Sequence, residues 1–183
     1  MSTNIPEPWL SFLTEIDESL TQETHFHCIG GFVVTIVHGF EREPSTSDID
    51  ILTLVKGTAA AIEKGRIGSD LYKRYGLYVD PVGIATLPEN YEDRLSEVFP
   101  NTFKRLRLFA LDPYDVALAK LERNTDIDRE DVKHLARVVP FDLDTLKDRY
   151  HQELRTYLGN PEREDLTLEL WIEMILESQN REQ

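Results

Sequence analysis

"IGGFVVTIVHGFEREPSTSDIDILTLV", Ile29–Val55, sets a glycine pair ahead of an apolar run closed by Gly39. A polar loop follows, then two aspartates one residue apart that lead into a second apolar run. Asp48 and Asp50 stand at i and i+2, so on a strand both carboxylates point to one face, a few ångströms apart. Like charges that close repel, and something positive has to compensate them. A solvated strand face would keep alternating, whereas Leu52 and Leu54 follow the two acids on the same face. The run "FVVTIVHG" is ambiguous by period alone. Its β-branched residues favour a strand, but a buried helix gives the same pattern.

On the N-terminal side, Trp9, Phe12, Leu13, Ile16 and Leu20 recur at helical spacing and predict a helix over Pro8–Leu20. "HFHCI" (His25–Ile29) reads as a short strand ending at the glycine pair. On the C-terminal side, a strand is expected over Ile49–Val55 and a helix over Thr58–Tyr75, broken or kinked near Gly65 and Gly68. "GLYVDPVGIAT" reads as a strand with a turn at Asp80-Pro81, and "FKRLRLFAL" as another strand. Beyond Ala110 the texture changes. "DPYDVALAKLERN", "DREDVKHLARVV", "DLDTLKDRYHQELRTYL" and "DLTLELWIEMILES" all read as helices opening on a capping aspartate. The expected organisation is an α/β domain over residues 1–110 and a helical domain over residues 111–183.

The bulk properties limit what such a chain does. Hydrophobic content of 40% and charged content of 30% fit a globular protein rather than a disordered one. Acids outnumber bases 34 to 20, for a net charge of −14, which opposes non-specific binding of a phosphate backbone. A local basic site on an acidic body stays compatible with that charge. No stretch reaches the roughly 18 apolar residues of a membrane span, and the N-terminus lacks the basic start and apolar block of a signal peptide. Cys28 is the only cysteine, so an internal disulfide is impossible and a cytoplasmic location is expected.

Glycine pair, short element, polar loop and Asp-x-Asp strand together resemble the signature of the nucleotidyltransferase fold, the DNA polymerase β superfamily. The resemblance implies an α/β (α+β) core with a mixed sheet, followed by a C-terminal helical bundle. It also implies that "FVVTIVHG" is a helix, tertiary context overriding propensity. Gly30 and Gly31 would then let the backbone approach a triphosphate at the positive end of that helix. Asp48 and Asp50 would hold one or two Mg²⁺ ions, hard cations that prefer oxygen ligands. A third acid on a neighbouring strand is usual for two-metal transfer, and Asp80 is placed to supply it. The plainer alternative for Asp80 is a turn aspartate before proline. Arg42 and Ser47, in the loop between the glycines and the aspartates, complete the implied nucleotide contacts.

The segment "LDPYDVALAKLERNTDIDREDVKHLA" resembles one found in bacterial nucleotidyltransferase-like proteins related to abortive-infection and toxin–antitoxin toxins. There a lysine precedes an Arg-Asp-x-x-Asp-type helix start. Here the lysine is Lys120 and the acids are Asp128 and Asp131, with Ile127 where the basic residue would stand. By this resemblance Lys120 contacts the triphosphate, and Asp128 and Asp131 join the nucleotide site. The local alternatives are a solvated helix lysine and capping acids. Asp112 and Asp115, in "DPYD", are better explained as a cap.

His25, His27 and Cys28 have no second ligand cluster at zinc spacing and read as core or half-buried residues. Lys104, Arg105 and Arg107 form the densest basic spot, which reads as an outward strand face. The stripe Leu168, Trp171, Ile172 and Ile175 reads as packing within the helical half.

The expectation is thus a Mg²⁺-dependent nucleotidyltransferase that moves a nucleoside monophosphate from an NTP to an RNA, protein or small-molecule acceptor. It would serve as the toxin of a toxin–antitoxin or phage-defence pair with a cognate antitoxin. Asp48, Asp50, Asp80 and Lys120 would be its catalytic residues. The alternative is a catalytically silent member of the fold that binds a nucleotide or a partner protein.

Overall fold

The protein is described by a computed structural model that covers residues 4–43, 45–53, 57–83, 85–139 and 141–180. Its chain divides into two compact units, Met1–Ala85 with Leu95–Leu111, and Thr86–Arg94 with Asp112–Gln183.

The first unit holds a five-stranded sheet of order β3-β2-β1-β5-β4, from β1 (Thr24–Ile29), β2 (Asp48–Leu52), β3 (Tyr78–Val82), β4 (Ser96–Val98) and β5 (Leu106–Ala110). Strands β1/β5 and β2/β3 pair parallel, and β1/β2 and β4/β5 antiparallel, so the sheet is mixed. The apolar face of helix α1 (Trp9–Ser19) supplies Phe12, Leu13 and Ile16, all fully buried. The expected helix over Thr58–Tyr75 is two helices, α3 (Ala59–Gly65) and α4 (Asp70–Tyr75), parted at the glycines that interrupt its pattern. Gly65 is there for contact: a Cβ on it would lie 2.6 Å from Val79 Cγ2 and 3.0 Å from Ile16 Cδ1. Asp17, buried near the end of α1, accepts the backbone N–H groups of Lys104, Arg105 and Leu106 and so fixes the entry of β5.

"FVVTIVHG" is helical. Helix α2 (Gly30–Phe32) continues as a wider π-helical turn over Val33–Val37, with Val33, Val34 and Val37 buried. Burial of the whole run outweighs its β-branched preference. The turn expected at Asp80-Pro81 is instead strand, with Pro81 paired opposite Ile51. Strand β3 lies at the end of the sheet order, where a residue without an N–H costs no ladder bond on the open side. Leu54 and Val55, expected to extend β2, lie outside the described residues.

The second unit is helical: α5 (Pro113–Ala119), α6 (Asp126–Val138), α7 (Leu143–Arg149) and α8 (Pro161–Asn180). Helix α7 runs on through a π turn at Tyr150–Leu154 and a 3-10 turn at Arg155–Tyr157. Asp112 and Asp142 cap α5 and α7 as expected. Helix α6 instead takes Thr125 as its cap, with Asp128 completing a reciprocal capping box. Helix α8 starts at Pro161, ahead of the expected Asp165, which accepts hydrogen bonds from Tyr150 and Arg155. Leu168, Trp171 and Ile175 are buried, and the Trp171 indole donates to Asn124 Oδ1 at 2.9 Å. Segment Thr86–Arg94 groups with these helices because Arg94 donates to Asp115 and Glu153, and the Glu89 and Asn90 N–H groups bond Glu153. Among the described residues, no helix is long and apolar enough to cross a membrane.

Candidate metal and nucleotide site

Two periodicities bring three carboxylates together. Asp48 and Asp50 share a face of β2 because they are two residues apart, and the parallel register sets Asp80 of β3 directly beside Asp50. One oxygen from each of Asp48, Asp50 and Asp80 lies within 4.8 Å of the others, and all three residues are half-buried. Burial, and then the charge of Asp48, push the Asp80 carboxyl above its ordinary range. The hydroxyl of Tyr78 is pushed the same way, by burial first and then by Asp48 and Asp80.

The glycine pair is shaped by the same cluster. In the antiparallel register Ile29 faces Asp50, so the next residue, Gly30, lies beneath that aspartate. A Cβ on Gly30 would sit 2.0 Å from Asp50 Oδ2, and its φ of +66° lies in the left-handed region. No L side chain fits there. Gly31 is equally close to the polar loop, since a Cβ would lie 2.6 Å from Thr46 Oγ1 and 3.1 Å from Arg42 Nη2. Arg42 is thus brought over the glycine pair. Ser47 is exposed at the mouth of β2, its carbonyl accepting the Tyr78 N–H at 3.0 Å.

Two groups that hold the cluster were not picked out by sequence reasoning. The Thr46 hydroxyl donates to Asp48 Oδ1 at 3.0 Å, and the Tyr78 hydroxyl donates to Asp48 Oδ2 at 3.4 Å. The signal for both was spacing, because each stands two residues before an acid of the cluster.

Lys120, Asp128 and Asp131 belong to the second unit, where they form a cluster of their own. Lys120 Nζ lies 3.2 Å from Asp128 Oδ1 and 2.9 Å from Asp131 Oδ2, with the lysine side chain 4% and both acids 0% exposed. Burial raises the proton affinity of Asp128. Bonds from Arg123 and Thr125 and the charge of Lys120 outweigh it and hold the carboxyl far below its ordinary range. His25 pairs with Glu23 and lies tilted against Phe109, and Arg107 binds backbone carbonyls and approaches Glu23 and Glu97. The Cys28 thiol is buried, and burial, then Asp50, raise its pKa steeply.

The family model described as nucleotidyltransferase of unknown function (DUF6036) matches residues 10–177. The chain belongs to this family. The match runs from α1 into the last turns of α8, and the mixed sheet with its helical C-terminal region is the architecture the family implies. A DUF6036 nucleotidyltransferase takes a nucleotide as substrate by the family's description, and the acid cluster is compatible with a metal. No curated protein and no solved structure matches the chain.

Proposed function

We propose that this DUF6036 protein is a Mg²⁺-dependent nucleotidyltransferase that moves a nucleoside monophosphate from an NTP to an acceptor hydroxyl. The observation that carries the reading is the convergence of Asp48, Asp50 and Asp80 within 4.8 Å. Three half-buried carboxylates that close repel one another, and a hard divalent cation with an affinity for oxygen lowers that repulsion. The donor set therefore fits Mg²⁺, which Asp48, Asp50 and Asp80 would hold. Bound there, Mg²⁺ would supply charge neutralisation on the transferring phosphoryl group.

The residues around it have separable roles. Thr46 and Tyr78 hold the two oxygens of Asp48. Gly30 keeps the backbone clear beneath Asp50. Gly31, Arg42 and Ser47 take the β and γ phosphates, the guanidinium answering the charge that builds on them. The acceptor oxygen attacks the α phosphorus and forms a new P–O bond while the bond to the bridging oxygen breaks. Pyrophosphate leaves with the electron pair, and the acceptor proton passes to solvent.

An α-labelled NTP incubated with RNA, lysate protein and metabolite fractions tests the reading. Mg²⁺-dependent label transfer with pyrophosphate release is expected from the wild type and at least ~10²-fold less from Asp48→Asn. Serving as a toxin held by an antitoxin is the cellular form of the same reading, and growth arrest would disappear in that variant. A catalytically silent, nucleotide-binding member is the second reading. It is favoured by Lys120, which the resemblance gave to the triphosphate and which is engaged by two buried carboxylates. That reading expects stabilisation by NTP with no pyrophosphate.

A further inference from the structure

A cavity of about 900 Å³ opens in the first unit between the N-terminal segment, the far end of α2 and the loop that leads to Asp48. Its size is in the range of small-molecule sites. None of the roles assigned above uses its body. It meets the carboxylate site at the loop residues Arg42, Thr46 and Ser47, and Thr46 is the residue whose hydroxyl bonds Asp48. A molecule held in it therefore has its near end beside the proposed metal ligands.

The lining states what kind of molecule that is. Its charged side chains are Glu7, Glu41, Glu43 and Arg42, three carboxylates against one guanidinium, with all three glutamates exposed. Glu7 accepts the Ser11 N–H at the rim. Phe40 and Tyr75, both half-buried, and the almost fully buried Trp9 give the cavity aromatic walls. Aromatic faces and carboxylates both attract organic ammonium groups, and both disfavour a polyanion. A chain with this rim does not draw a phosphate backbone into the cavity. A compact ammonium-bearing molecule is attracted by every charged group of the lining except Arg42, which also lies over Gly31 on the nucleotide side.

We propose that this cavity is the acceptor site and that the acceptor is a small amine-bearing cation, not a nucleic acid or a protein chain. The proposal rests on the transfer reading for the word acceptor. The binding of a cation in the cavity stands apart from it. During transfer a hydroxyl of that molecule forms the new bond to the α phosphorus as pyrophosphate departs with the electron pair of the broken bond and the hydroxyl proton passes to solvent.

Calorimetric titration of the full chain with spermidine, sucrose and inorganic tripolyphosphate tests the chemistry of the cavity without any turnover. Spermidine is expected to bind and sucrose is not, while any tripolyphosphate binding belongs to the nucleotide side at Arg42 and is not weakened by loss of the glutamates. Glu41→Gln/Glu43→Gln should weaken spermidine roughly 10-fold, the scale of two exposed charge contacts. The control pair Glu169→Gln/Glu173→Gln, on the exposed side of α8, should leave it unchanged. All four positions are exposed, so loss of folding does not enter. Equal weakening by both pairs would mean diffuse attraction to an acidic surface and would overturn the site. Binding of sucrose as well as spermidine, or tripolyphosphate binding that Glu41→Gln/Glu43→Gln weakens as it weakens spermidine, would overturn the ligand class. Label transfer that succeeds while the lining pair leaves spermidine binding untouched removes the cavity proposal alone. Spermidine binding through the lining pair with no label transfer on any acceptor removes the transfer reading and leaves the cavity a cation site.

Discussion

At the scale of single residues, the three aspartates behave as one group whose charge is too dense for the space it occupies. Asp80 has a folded-state pKa raised by burial and by Asp48. A carboxyl with a raised pKa binds more protons folded than unfolded, so its contribution favours folding at low pH and is lost as pH rises through the folded value. In metal-free protein, Asp80→Asn is therefore expected to raise the melting temperature at neutral pH and to have no such effect in mild acid. With Mg²⁺ the sign reverses. At a hundredfold excess over its dissociation constant the ion stabilises the wild type by ~2.7 kcal/mol, and the variant should lose most of that. Thermal melts at two pH values, with Mg²⁺ and with chelator, check both signs. An Asp80→Asn variant that stayed as responsive to Mg²⁺ as the wild type would remove Asp80 from the ligand set.

At the scale of elements, the sequence made the site more legible than the frame that holds it. Asp48 and Asp50 could be paired from their spacing because a strand alternates by two, and the resemblance then made a helix of "FVVTIVHG" against its propensity. The meeting of Asp80 with Asp50 depends on the β2/β3 register, which no local pattern encodes. The turn expected at Asp80-Pro81 failed for a related reason: proline is tolerated in β3 because that strand is at the edge. Strand β4 is three residues long and too short to display a period. Asp17 went unnoticed because its partners lie 87 to 89 residues away, on the N–H groups that open β5. Burial raises its proton affinity, and the three backbone donors overcome that and hold its pKa below the ordinary value. Its stabilisation is accordingly present above the unfolded pKa and drains away as pH falls toward the folded one. Asp17→Ala should cost about 2–4 kcal/mol at neutral pH, since it orphans three N–H donors at a part-buried strand entry. Urea melts should show the gap from wild type narrowing below about pH 4. A gap that persists in acid would mean that packing, not the carboxylate, carries the effect.

At the scale of the whole molecule, the two units solve the problem of clustered charge in different ways. In the first, Asp48, Asp50 and Asp80 converge within 4.8 Å, an arrangement compatible with a metal ion. In the second, Lys120 brings its own cation to Asp128 and Asp131, and Arg94 and Arg149 do the same for the fully buried Asp115. The resemblance placed Lys120 on a triphosphate, and both following acids point back at its ammonium. The two roles make opposite predictions. Removing the lysine of a buried triad takes a cation from two carboxylates that are 0% exposed, so Lys120→Met should cost about 3–5 kcal/mol of stability. Removing one acid together with the cation, in Lys120→Met/Asp131→Leu, should restore part of that, because an apolar pair needs no compensation. Asp128 tolerates the loss better, with Arg123 and Thr125 still bonded to it. A lysine that serves the triphosphate would instead leave stability close to wild type and weaken NTP binding, and the second substitution would rescue nothing. Denaturant melts of both variants beside an NTP titration separate these outcomes. A stable Lys120→Met protein with a lost NTP response would return the lysine to the nucleotide.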